Sequence, residues 1–295
     1  MAQTTFKELI KGIQEGQIVP YLGSGVLQDS VNEETGAPIP ADSDSLIYAL
    51  NDGKPMAPRL MYEFPRAAMN IELKRGRSAI TKFLDKLYGE TKWTRALFHD
   101  WLATIKPRYV IDINRDTQLQ DSYKDTPHTL IRGVSRITAN DYRFIIYYYD
   151  GKEYKVVTQE EVDTSLPILF KPMGTALPAG EYIASDADYV DYITELMGGF
   201  AIPSFLKEYR KGKQYLFIGI SMNRDTERMV LSDMMYAAAE PAAWALIPNP
   251  TDKEKRFCKR KKIEIIEADV IDLLTAAGVD ASVLESEADV KSVGC

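Results

Sequence analysis

Four short segments carry small or polar residues directly after an apolar run, and each combines residue types suited to holding a phosphate, a ribose or a base. Gly23-Ser24-Gly25-Val26 follows Ile18–Leu22, and with no side chain at two positions a phosphate can approach backbone N–H groups there. Asn114-Arg115-Asp116 follows the run 109–113 and sets an amide, a guanidinium and a carboxylate side by side, although Asn and Asp also favour a helix N-cap. Gly219-Ile220-Ser221-Met222 follows 215–218 and puts a glycine turn and a hydroxyl ahead of a helix expected to begin near Arg224. Pro248-Asn249-Pro250 follows 244–247 as a proline-bracketed turn. The tetrapeptide Asn-Arg-Asp-Thr occurs at 114–117 and again at 223–226. Its arginines, Arg115 and Arg224, have the planar fork that matches a diphosphate, with surface salt bridges as their other use.

Proton transfer near neutral pH calls for a titratable group, and the chain has two histidines. His99 lies in an amphipathic helical pattern and reads as a packing or surface residue. His128, after Asp125-Thr126-Pro127, is expected to begin a helix just past the Asn114 segment, and it is the histidine that reads as a possible pocket residue. Asp116 is a further candidate base, with a ribose contact or a helix cap as its other roles. Two histidines, the two cysteines Cys258 and Cys295, and distant carboxylates make no metal-ligand spacing, so no metal is expected.

The elements that must position these residues alternate between strand and helix patterns. Thr4 and Thr5 cap a helix with the apolar face Phe6, Leu9, Ile10 and Ile13, stopped by Gly16. Buried-strand runs lie at 18–22, 109–113, 169–171, 215–218, 244–247 and 263–266. Continuous apolar runs between helical segments suit a parallel sheet covered on both faces. The expected fold is therefore α/β, a Rossmann-like parallel sheet with helices on both faces. A helical layer spans about 59–104, and a β-hairpin insertion spans about 142–157 around Asp150-Gly151. Residues 1–277 read as one domain and 278–295 as an acidic tail. The basic run 255–262 reads as a solvated helix face. A net charge of −7 argues against non-specific nucleic-acid binding, since neutralising phosphates needs a basic surface. No apolar run approaches the length of a spanning helix, and the first residues lack a secretory h-region, so the expectation is a cytoplasmic chain off the membrane.

The order and spacing of these strand ends resemble the sirtuin-like family, over about residues 17–275. Gly23-Ser24-Gly25-Val26 is similar to its glycine-rich segment, and Gly36 to Pro40 falls where the family has a glycine and proline before its cofactor loop. Asn114 and Asp116 match its N-x-D motif, and Gly219, Ser221 and Met222 match its ribose-side turn. Asn249 matches the asparagine after the next strand, while Ala268 and Asp269 match the adenine-side segment. The resemblance is nearest to zinc-free bacterial members, several of which hydrolyse NAD. The segments LMYEFPRAAMN, YVIDINRDTQLQDSY, FKPMG and LMGGFAIP further resemble a branch found alongside nitrogen-fixation genes. The resemblance implies a bound NAD or related adenine nucleotide. In the nitrogen-fixation branch it also implies a protein partner among nitrogenase maturation or regulatory proteins. It further implies impaired catalysis, because the family's histidine position, after the strand 168–171, is Met173. A thioether has no titratable proton for acid–base work. Leu27 replaces the serine that often follows the glycine segment, and the paired zinc cysteines of protein deacetylases are absent. Two functions follow: a nucleotide-binding sensor or assembly factor, or an NAD-cleaving hydrolase in which Asn114 works with a substitute base such as Asp116 or His128.

Overall fold

The computed structural model describes residues 5–137 and 141–281. Cys295 and the expected acidic tail beyond residue 281 lie outside the described residues. The strands are β1 (Ile18–Leu22), β2 (Tyr109–Asp112), β3 (His128–Gly133), β4 (Phe144–Tyr149), β5 (Tyr154–Val157) and β6 (Ile168–Lys171). They continue with β7 (Gly174–Thr175), β8 (Glu181–Tyr182), β9 (Gln214–Ile218), β10 (Ala243–Leu246) and β11 (Ile263–Ile266). Among the described residues, nine of these form one sheet in the order β11-β10-β9-β1-β2-β6-β3-β4-β5, while β7 and β8 pair apart from it. Every neighbouring pair from β11 across to β3 is parallel. The α/β class and the parallel sheet are as the sequence implies. The expected hairpin forms as β4 and β5, and β3 joins it to the parallel sheet as a continuous antiparallel edge.

One element departs from expectation. His128 opens a strand rather than a helix. Thr-Pro ahead of a polar residue resembles a helix start, yet Thr129-Leu130-Ile131 is a short apolar run with β-branched residues, and parallel pairing with β6 decides its state.

Side chains alternate between two cores, one on each face, as the period of a strand requires. From β1, Ile18 and Leu22 join one core and Val19 and Tyr21 the other; from β9, Leu216 and Ile218 oppose Tyr215 and Phe217. The first core is covered by helices Phe6–Gln14, Phe64–Arg75, Leu97–Ile105 and Val270–Ala276, through Leu9, Phe64, Leu102 and Leu273. The second is covered by Asp186–Gly198, Asp225–Met234 and Asp252–Lys261, through Tyr192, Leu231 and Phe257. The first helix carries a capping box between Thr5 and Glu8. The 59–104 layer holds helices Phe64–Arg75, Arg77–Asp85 and Leu97–Ile105, with Gly76 at φ +81° turning the chain between the first two. The basic run lies on helix Asp252–Lys261, which buries Phe257 and Cys258.

Pro20 sits in β1, a central strand, where a missing donor would ordinarily break the ladder. Gly23 N donates to Ile218 O, so by alternation Pro20 faces β2, and the β1–β2 ladder begins only at Tyr21.

Across the sheet, Lys171 Nζ at the end of β6 donates to Asp112 Oδ2 at the end of β2, 2.7 Å away, with both side chains fully buried. Removing one partner of such a pair strands a buried charge, which costs about 3–5 kcal/mol. Lys171→Met is therefore expected to lower the urea midpoint by a large fraction of the total stability. The same change at exposed Lys211, which among the described residues pairs with Glu208, should leave the midpoint almost unmoved. Equal midpoints for the two variants would show that the buried pair does not hold the strand ends together.

Candidate functional site

The chain leaves β1 toward β2 on one side of the sheet, whereas β9, β10 and β11 extend it on the other. Open α/β sheets hold ligands at such a divergence, outside the carboxyl ends of the strands. A cavity of about 340 Å³ opens there. Gly23 and Ser24 after β1, Asn114 and Arg115 after β2, Met173 after β6, and Gly219 to Ser221 after β9 line it. Asp42, Glu63, Tyr189 and Glu227 close its other walls. A second cavity, of about 360 Å³, is lined by Gly25, Asn249, Thr251, Glu254 and Asp269. The two share Ser24, Gly219, Ile220, Ser221 and Asn223, so they meet at the glycine turns.

Hydrogen bonds fix this edge. Asp112 Oδ1 accepts from the Asn114 amide N at 2.9 Å, and Asn114 Nδ2 donates to Gly23 O at 2.9 Å. Burial pushes the Asp112 carboxyl upward, against the pull of the Lys171 ammonium and the Asn114 N–H. Gly23 N donates to Ile218 O and Gly25 N to Gly219 O, both at 2.9 Å. A Cβ on Gly23 would stand 2.6 Å from Gly219 O, and one on Gly25 would stand 2.7 Å from Gly219 Cα. Both glycines are needed because the turns after β1 and β9 interlock. Their amides are spent on that contact, which differs from the sequence expectation that they face a phosphate.

The Asn-Arg-Asp-Thr copies converge on the first cavity, which Asn114, Arg115, Asn223, Arg224 and Thr226 all line. Arg115 is held from behind, donating to Ile183 O at 2.6 Å and to the Tyr189 hydroxyl at 3.3 Å. Arg224 lies 3.8 Å from Asp44 and 5.2 Å above the Tyr62 ring. Asp116 lines neither cavity: its Oδ1 accepts from Gln118 N at 2.8 Å, and its buried Oδ2 has no partner. Val26, Met222 and Ala268 are buried and line neither cavity. Met222 N instead donates to Glu254 Oε1, and its sulfur accepts from Cys258 Sγ at 3.6 Å. Burial raises that thiol to about 11.

Neither histidine reaches the cavities. His128 has Nδ1 2.8 Å from Thr126 O and Nε2 2.9 Å from the Tyr154 hydroxyl, and burial lowers its pKa to about 4. It is a packed residue of the β3–β5 edge. His99 is fully buried, neither ring nitrogen has a partner, and burial lowers it to about 3. Met173 is 3% exposed and lines the first cavity.

Glu63 and Glu227, like Asp42 and Tyr189, are cavity residues that the sequence did not single out. Both glutamates carry a buried oxygen without a partner, Oε1 and Oε2 respectively. Burial raises Glu227 to about 7, and the nearby Glu63 charge adds to the shift. Burial likewise raises Glu63, against the pull of Arg224. Pro65 marks the start of helix Phe64–Arg75, so an acid in the preceding N-cap position was a legible signal for Glu63. Nothing in its neighbourhood distinguishes Glu227 from an ordinary first-turn helix acid.

Residues 108–266 match the family model of a SIR2-like domain. No curated protein matches the chain. Among the described residues no group of three or more His, Cys, Asp or Glu is placed to hold a metal ion, and no helix is long and apolar enough to cross a membrane.

A carboxyl group with a raised folded pKa binds its proton more tightly in the native than in the unfolded chain. It therefore lowers stability as pH climbs from the unfolded value near 4.5 through about 7. Glu227→Gln removes that penalty. Its melting temperature should exceed the parent's at about pH 8, and the gap should shrink steadily as pH falls toward 4.5, where the unfolded chain's carboxyl is protonated as well. A gap that stays constant across that range in scanning calorimetry would mean that Glu227 does not titrate as its burial requires.

Proposed function

The chain belongs to the SIR2-like domain family, whose model covers more than half of it, and on that premise we propose that it binds an adenine dinucleotide of the NAD or ADP-ribose type without cleaving it at a useful rate. The observation that carries this is the pair of cavities of about 340 and 360 Å³ that share the glycine turns after β1 and β9, two adjoining spaces that the two halves of a dinucleotide could fill. In the outer lobe, Asn249 and Asp269 offer hydrogen-bond groups at the ends of β10 and β11. In the inner lobe, Asn114 is held against the glycine turn and is 6% exposed as a residue, positioned rather than free. The lobes fit the ligand class in shape and in polar content.

Impaired cleavage rests on Met173. It lines the inner lobe where the family resemblance sets a histidine, and a thioether neither takes up nor delivers a proton. His128 is no substitute, since both its nitrogens are engaged at the far edge of the sheet. Asp116 is no better placed, as it lines neither cavity. A site that binds and retains its ligand suits a sensor or an assembly factor, whose partner affinity changes when the pocket fills. Under this proposal the partner is a nitrogenase maturation or regulatory protein, as the narrower sequence resemblance implies. A hydrolase that uses Asn114 is the second reading, and the carboxyl groups of Glu63 and Glu227 in the same lobe are the observation in its favour.

NAD or ADP-ribose should raise the melting temperature, because a ligand that binds only the folded chain stabilises it. Nicotinamide release by the parent should sit near background, since general acid–base assistance contributes about a hundred- to ten-thousand-fold. Met173→His should release more than the parent. Rapid release by the parent, lost in an Asn114→Ala variant that still melts cooperatively, would replace the binding reading with the hydrolase.

A further inference from the structure

Helix Asp252–Lys261 and the edge strand β11 form a surface whose charge opposes that of the whole chain. Lys255, Arg256, Lys259 and Arg260 are all exposed on this helix, in a chain of net charge −7. The helix macrodipole favours cations in the last turn, which accounts for Lys259 and Arg260. It does not account for Lys255 and Arg256 a turn earlier, each four residues from a like charge that repels it. Among the described residues no acid forms an ion pair with Lys255, Arg256 or Lys259. The helix's own Glu254 is buried and accepts from Thr251 N and Met222 N instead.

One flank of this helix faces back over the sheet. Lys253 Nζ donates to Asn223 O, past the end of β9, at 3.0 Å, and Lys261 pulls on the Asp233 carboxyl of helix Asp225–Met234. At about 100° per residue, Lys255 and Lys259 project from the opposite flank, on the side where β11 ends the sheet. There β11 presents open backbone. Lys262 O accepts from Ala242 N and Ile266 O from Ile247 N, both on the β10 side. By alternation, the N–H and C=O groups of Ile263 and Ile265 point away from the sheet. Edge strands are ordinarily blunted by proline, a bulge or charge on the strand itself. The sequence of β11 is Ile-Glu-Ile-Ile, and its one charge, Glu264, accepts from Trp244 Nε1. Trp244 belongs to the core on the face away from this helix, whereas Ile263 and Phe257 share the core beneath it.

We propose that this edge docks an extended acidic segment of a partner protein, which adds as a strand beside β11 and sets alternate carboxylates against Lys255 and Lys259. Main-chain hydrogen bonds to Ile263 and Ile265 hold the segment, and the helix flank selects its charge. The open strand favours a peptide over other polyanions, because neither a nucleic-acid backbone nor a lipid headgroup offers alternating N–H and C=O groups at strand spacing. Lys255, Lys259, Ile263 and Ile265 line neither cavity, so this surface is independent of the dinucleotide reading.

A fluorescein-labelled octapeptide that alternates glutamate with threonine is the probe, its anisotropy followed as the full chain is added. Two further peptides carry N-methyl groups on the backbone, one at every glutamate and the other at every threonine. The parent chain should bind the plain peptide and lose binding to only one of the methylated forms, since a paired strand directs alternate N–H groups to its neighbour. Lys255→Glu combined with Lys259→Glu should weaken binding on the order of tenfold. The same reversals at Lys7 and Lys11, exposed at equal spacing on helix Phe6–Gln14, should not. Loss of binding with both methylated forms, or with neither, overturns strand addition. So does a Lys255/Lys259 variant that binds like the parent, or tighter binding of phosphatidylserine vesicles or a single-stranded oligonucleotide than of the plain peptide. A parent that fails to bind the plain peptide at millimolar concentration overturns the docking site outright. The methylated peptides probe the parent itself, so the outcome does not depend on a variant folding.

Discussion

The buried ion pair between Lys171 and Asp112 is the contact on which the carboxyl edge of the sheet depends. It joins the last residues of β6 and β2. Asp112 has a second oxygen, which accepts the Asn114 amide N–H, and Asn114 in turn donates to Gly23 at the end of β1. Gly23 N donates to the last residue of β9. One chain of polar contacts thus crosses four adjacent strands, and each member is buried, so each would be costly to leave unpaired. Two charges withdrawn from water are not a cheap way to gain stability. Their effect here is positional: they fix where the loops after β1, β2, β6 and β9 leave the sheet, and those loops form the inner cavity.

The glycine turns play the complementary part. Gly23, Gly25 and Gly219 let the backbones after β1 and β9 approach more closely than any side chain allows, with Gly219 at φ +66°. The amides of Gly23 and Gly25 donate to Ile218 O and Gly219 O. Among the charged residues lining the inner cavity, Glu63 and Glu227 keep buried oxygens without a partner, one at the N-cap and one in the first turn of a covering helix. The strand ends supply the cavity's floor.

The sheet also explains why the reading of His128 diverges from the structure, while His99 is the packed residue its helical pattern implies. His128 looked like a helix-starting residue near Asn114, but the run after it pairs with β6 and carries it into the sheet, where Tyr154 and Thr126 occupy its nitrogens. Met173, by contrast, follows β6 directly and lines the cavity. Parallel pairing sends every strand's last residues to the same edge, so a residue's distance past its own strand locates it better than its chain distance from a motif.

The sequence by itself determined the class of fold and the sheet edge at which the two cavities open. Runs at 18–22, 109–112 and 215–218 are buried strands, as consecutive apolar residues between helices suggest, whereas 263–266 forms the edge strand β11 and is buried only at Ile263, and Thr5 with Glu8 caps the first helix through local hydrogen bonds alone. Asn114 was legible from its residue type two positions past β2, and Met173 from the family resemblance, two positions past β6. What only the tertiary structure decided are the meetings of residues far apart in the chain. Lys171 finds Asp112, Gly25 closes on Gly219, and Glu63 and Glu227 line one cavity from opposite ends of the chain. No local propensity encodes those meetings, because burial and the order of strands in the sheet arise only when the whole chain packs, and with them the field that raises a carboxyl group to neutrality.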